Sequence, residues 1–270
     1  MVHISLPSNA SLQYFPGNTA ANYQVKVPEN FPILNSTKSY ECAIAEIILP
    51  NKFQNIPKKQ RIRITQLDVS KVFASSGGKP RHQLEWYVQP GTYSIPALVN
   101  IINTECSGGF PFVFRYDPTK EKTYIISKDK NQFIVRLRFD EYLAHILGFK
   151  QDATFKRGKK RAKLQRIESP YQTSVQGGLT TLYIYSDIIT GQYVGGIRAP
   201  LLRIVNWSHA GKADTASVSF DRLHFCSLLT NSFDTIQMFI MDDQGREVKF
   251  DDSGTVIIVL EFREILQGHV

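Results

Sequence analysis

The sequence predicts an all-β dominated fold: a single eight-stranded jelly roll with an inserted small α+β segment. Three observations carry that expectation. Apolar and polar residues alternate with period two through most of the chain, the mark of half-buried strands. The strand-like segments divide into three before residue 69 and five after residue 170, which together make the jelly-roll count. The two stretches with helical spacing lie together in the middle.

Taken in order, the early strands are Tyr23 to Val27, Tyr40 to Leu49 and Arg61 to Gln66, read as strands B, C and D of a first jelly-roll part spanning 1–68. The segment 69–170 is then an α+β insertion. It opens at the loop-like Ser75-Ser76-Gly77-Gly78-Lys79-Pro80 and closes at a basic run and Ser169-Pro170. Within it, strands are expected at Leu84 to Val88, Phe112 to Tyr116, Thr123 to Ser127 and Gln132 to Phe139, with a tight hairpin at Asp117-Pro118-Thr119-Lys120. Ile95, Leu98, Val99 and Ile102 recur at helical spacing behind Ser94 as N-cap, with Pro96 in the first turn and Gly108-Gly109 beyond the end. A second helix runs from Asp140 as cap to Leu147 and stops at Gly148, with Phe149 set to fold back on Leu143. The second jelly-roll part, 171–270, holds strands E to I: Leu179 to Ile188, Leu201 to Trp207, Ala216 to Phe220, Thr235 to Met241 and Thr255 to Arg263. No repeat of 20 to 50 residues is present, which disfavours propellers and solenoids.

Composition narrows the class. Hydrophobic residues at 42% and charged residues at 21% are globular values, and no apolar run approaches the roughly 18 residues that span a bilayer, so membrane insertion is not expected. The first residues lack a basic n-region and an apolar h-region, which predicts synthesis inside the cell and unused glycosylation sequons at Asn9, Asn35 and Asn206. Cys42, Cys106 and Cys226 lie far apart without a CxxC, so they read as reduced, largely buried thiols.

The net charge of +8 is concentrated. Lys156, Arg157, Lys159, Lys160, Arg161, Lys163 and Arg166 put seven bases and no acid into eleven residues, and the rest of the chain is close to neutral. Such a run reads as a solvated or partner-facing loop, a non-specific nucleic-acid contact, or an import signal around Lys160-Arg161-Ala162-Lys163. The acidic stretch Asp242-Asp243-Gln244-Gly245-Arg246-Glu247 lacks the twelve-residue rhythm of a calcium loop and reads as a hairpin turn with a left-handed glycine. The six histidines show no metal spacing, and no GxSxG, GxxxxGK[ST] or GxGxxG occurs. No catalytic apparatus, cofactor site or metal site is therefore expected.

Several segments of the last third carry a resemblance. They are Leu182-Tyr183-Ile184-Tyr185-Ser186-Asp187-Ile188-Ile189, then Val194-Gly195-Gly196 leading to Ala199-Pro200-Leu201-Leu202-Arg203-Ile204-Val205, then Leu223-His224-Phe225, Phe233-Asp234-Thr235-Ile236-Gln237-Met238 and Val256 to Phe262. In order and spacing these resemble the penton-type minor capsid proteins of Maverick/Polinton elements, adintoviruses and virophages. Gly91 to Leu98 and Leu143 to Phe149 resemble the middle of that family, whereas residues 1–60 and the basic run match none of its motifs. The resemblance implies a non-enzymatic virion protein: a jelly roll forming homopentamers at the fivefold vertices of an icosahedral capsid, among double jelly-roll major capsid proteins. Packaged DNA would then be the partner of the basic run. The rival readings are a receptor- or glycan-binding jelly-roll module and a cupin-like or deaminase-like enzyme.

Overall fold

The computed structural model describes residues 2–27, 38–68, 82–105, 112–127, 133–156, 166–175, 179–207, 215–250 and 254–265. The chain up to the first helix forms β1 (Val2–Pro7), β2 (Asn22–Lys26), β3 (Tyr40–Pro50), β4 (Gln60–Asp68) and β5 (His82–Val88). Then come α1 (Ile95–Glu105), β6 (Phe112–Asp117), β7 (Lys122–Ser127), β8 (Phe133–Phe139), α2 (Glu141–Leu147), β9 (Asp152–Lys156) and β10 (Arg166–Glu168). The last part contains β11 (Thr181–Ser186), β12 (Gln192–Val194), β13 (Ile197–Ala199), β14 (Leu201–Asn206), β15 (Thr215–Ser219), β16 (Cys226–Ser227), β17 (Thr235–Met241) and β18 (Ile257–Glu264).

Two compact units result, one from Met1–Phe53 with Leu179–Val270, the other from Gln54–Gly178. The first is the jelly roll. One sheet has the order β1-β18-β3-β15 with the short β16 beside β3, and the other has the order β14-β11-β17-β2. Lettered along the chain, these orders are B-I-D-G and F-E-H-C. Period two puts one face of each sheet inside: Leu182 and Ile184 of β11 and Ile236, Met238 and Ile240 of β17 are buried while their neighbours are partly exposed. They share a core with Leu6, Ile44, Ile47, Leu49, Ile258, Leu260 and Phe262 of the other sheet. Tyr23 reaches into this core and donates its hydroxyl to the Leu6 carbonyl oxygen at 3.1 Å, and burial pushes its phenol well above the ordinary range.

This lettering corrects the sequence-based one. Strand B is β1, which the alternation analysis passed over, so Tyr23 to Val27 lies in strand C and Tyr40 to Leu49 in strand D. Arg61 to Gln66, expected as strand D, belongs to the other unit. There β4 pairs with β5 on one side and β8 on the other, and neither edge is left for a jelly-roll neighbour. The units accordingly divide after Phe53 and Gly178 rather than after residues 68 and 170.

In the second unit, β5-β4-β8-β9 form one sheet and β10-β7-β6 another. Ser94 caps α1 as expected, its Oγ accepting from the Ala97 amide at 3.3 Å, and Ile95, Leu98, Val99 and Ile102 face inward. Asn103 holds this helix to β6 by accepting from the Phe114 amide at 2.8 Å and donating to the Phe114 carbonyl at 2.9 Å. At α2 the Asp140 side chain makes no capping bond; it accepts from the Arg61 amide at 2.9 Å and so ties the helix start to β4. Gly148 ends α2 with φ 71°, where the amides of Gly148 and Phe149 reach the carbonyls of His145 and Ala144. A Cβ at Gly148 would also run into the Tyr171 carbonyl, so glycine is required twice over. Phe149 is buried in the same core as Leu143 and stacks on Phe139 at 5.6 Å. Gly108-Gly109 lies outside the described residues.

Candidate functional site

The basic run meets the described structure at its two ends. Lys156 is the last residue of β9 and Arg166 the first of β10, whereas Arg157, Lys159, Lys160, Arg161 and Lys163 lie outside the described residues. Arg166 is exposed and opposes Ile126 in the β10–β7 pairing. Its guanidinium carbon sits 3.5 Å from the centroid of the Tyr124 ring, a cation–π stack. Arg115 opposes Tyr124 on the other flank, in β6. These residues line a cavity of about 370 Å³ together with Tyr116, Asp117, Pro118 and Ile126. The expected tight hairpin joins β6 to β7, and there Asp117 accepts from the amides of Thr119 and Lys120 through Oδ1, an Asx-type turn.

The acidic stretch 242–247 is a turn. Asp242 Oδ1 accepts from the amides of Gln244 and Arg246 at 2.9 Å, its Oδ2 meets Arg246 Nε at 2.7 Å, and Gly245 takes φ 72°. Its carboxylate is thus consumed by its own loop. Among the described residues, no group of three or more His, Cys, Asp or Glu could hold a metal ion. Cys42 and Cys226 are buried and free, facing one another across β3 and β16, and burial pushes both thiols up. Cys106 lies outside the described residues. The hairpin β12–β13 pairs with itself and presents Tyr193 at 86% and Ile197 at 67% exposure, while Gln192 ties its base to the Leu201 carbonyl.

No family model matches the sequence, and no curated protein matches it. The fold is similar to that of the mavirus penton protein, known from a crystal structure of the selenomethionine-labelled form. The TM-score is 0.53 at 12% sequence identity, and the likeness covers 98% of this chain and 99% of that one. It therefore extends across both units, the jelly roll and the inserted unit alike.

Of the residues singled out by charge alone, only Arg166 has a described side chain, and its partners Tyr124 and Arg115 escaped the sequence reading. The signal for them was the alternation itself. In Phe112-Val113-Phe114-Arg115 and Thr123-Tyr124-Ile125-Ile126, the aromatic and aliphatic residues that build the core share strands with those on the opposite face. Period two says that two faces exist, but pairing decides which residues of different strands become neighbours.

Proposed function

We propose that the chain is a structural virion protein: a penton subunit of the Maverick/Polinton, adintovirus and virophage kind, forming homopentamers at the fivefold vertices of an icosahedral capsid. The observation that carries this reading is the likeness to the mavirus penton protein over nearly the whole of both chains. A likeness that takes in both the jelly roll and the inserted unit is more telling than one confined to a single sandwich. Exposed Tyr193 and Ile197 add support, because large apolar side chains held out in solvent suit a surface that association covers.

In mechanism, five copies close a ring through a heterologous interface, each presenting two different complementary surfaces, and double jelly-roll major capsid proteins surround the ring. The work done is assembly rather than catalysis. The basic run 156–166 serves as a non-specific phosphate contact with packaged DNA, which weakens as salt rises. Solution mass tests the reading: the recombinant chain of 30.7 kDa is expected to assemble to about 154 kDa and to show fivefold rings in negative stain. A stable dimer or trimer would overturn it.

A further inference from the structure

We propose that the outer face of the three-stranded sheet β10-β7-β6 is a binding site for an acidic sugar: a hydroxylated ring bearing a carboxylate or a sulfate. The inference stands independently of the assembly reading. Strand alternation turns Phe112, Phe114 and Ile125 into the core of the unit and leaves Arg115, Tyr124 and Arg166 together on the opposite face. Arg166 lies diagonal to Tyr124 across the β10–β7 pair, within reach of its ring. Stacking occupies the flat face of the guanidinium and leaves its N–H donors at the rim, where a planar carboxylate or a sulfate oxygen can be received. Among the described residues, neither Arg166 nor Arg115 has a carboxylate within ion-pair distance.

Tyr124 supplies the second, independent observation. It is only 2% exposed, and its hydroxyl has no hydrogen-bond partner among the described residues. A buried hydroxyl without a partner is costly, and a ligand group bonded to it would remove that cost. The cavity beside it measures about 370 Å³, within the roughly 300–1,000 Å³ of small-molecule sites.

Asp117 decides the class of ligand. It lines the same cavity, and the turn occupies only its Oδ1, leaving Oδ2 to accept a hydroxyl. A bare phosphate or a nucleic-acid backbone meets repulsion from this carboxylate, so the DNA contact proposed for the basic run falls to its other six bases rather than to Arg166. A sugar that carries one anionic group and several hydroxyl donors uses the arginines and the aspartate together, with Tyr116 and Pro118 beside its ring. Glu168, opposite Tyr124 on β10, is not among the residues lining the cavity.

The test uses the full chain, with 3′-sialyllactose and lactose 3′-sulfate as probes, lactose as neutral control and a single-stranded oligothymidylate as the nucleic-acid arm, each titrated by NMR. At least one acidic sugar is expected to bind saturably and lactose not to bind; which of the two binds identifies the anion. Tyr124→Phe and Arg166→Gln should each weaken that binding about tenfold, as expected for a lost hydrogen bond to a charged or buried group. Tyr124→Phe removes a buried hydroxyl that has no partner among the described residues, so its melting temperature should be unchanged or raised and the loss of binding cannot be ascribed to misfolding. Three results would overturn the proposal: no saturable binding of either acidic sugar, full binding by Tyr124→Phe, or a loss of oligothymidylate binding in Tyr124→Phe, which would make the face a nucleic-acid contact.

Discussion

The two units solve the same packing problem with different chain economies. Unit 54–178 is one continuous segment, and β4–β5, β6–β7 and β8–β9 pair with near neighbours in sequence. The jelly roll is split, and its sheets are closed by pairings such as Val2 with Phe262 and Asn22 with Phe239. Closing a long loop costs more chain entropy than closing a short one, and the contacts that offset it appear only after closure. One unit is thus assembled mainly from local decisions, while the other depends on both ends of the chain being present.

The largest expected effect breaks that closure. Removing residues 1–8 strips β18 of six paired positions, empties the place of the fully buried Leu6, and deletes the Ser8 hydroxyl that accepts from the Val256 amide at 3.0 Å. A loss on the order of 5 kcal/mol or more is expected, comparable with the stability of a whole domain. Calorimetry should show the jelly-roll transition abolished and that of unit 54–178 retained; loss of both would mean that the two units are not separable in folding.

A smaller effect is expected from Phe139→Ala in the continuous unit. Phe139 stacks on Phe149 and meets Phe114 edge-on at 6.2 Å, so truncation should cost about 3–5 kcal/mol through lost burial and the cavity left behind. Denaturant unfolding should show the loss confined to one transition. An equal shift in both would replace the picture of two cores by one of a single cooperative core.

The smallest effect concerns charge. Replacing Lys159, Lys160, Arg161 and Lys163 by Ser should change stability by less than about 0.5 kcal/mol, because a run of like charges is too costly to bury for a packed core to depend on it. Under the proposed function the variant retains its ring and loses DNA retention at low salt, measured by filter binding across a salt series. Loss of the ring with DNA binding intact would make the run an assembly contact.

How much of this was legible in the sequence varies by element. The helices were, because Ile95, Leu98, Val99 and Ile102 mark a buried stripe and Gly148 marks a stop within a few residues of one another. The turns at Asp117 and Gly245 were too, since their side chains and φ angles act on the next two or three residues. β1 carries a readable alternation, with Val2, Ile4 and Leu6 on one face, but it is short. β4 shows the same alternation as a jelly-roll strand, and nothing within Gln60–Asp68 says which sheet it joins.

The sequence by itself determined where the chain extends, where it coils into helix and where it turns, because those preferences act through steric and hydrogen-bonding contacts a few residues long. Tertiary structure alone decided that Val2–Pro7 rather than Arg61 to Gln66 completes the jelly roll, and that Arg166 lies on Tyr124 beside Arg115. Both outcomes depend on which strands become neighbours. That choice is made by burying whole faces at once, and a period of two is the same for every strand that could have been chosen.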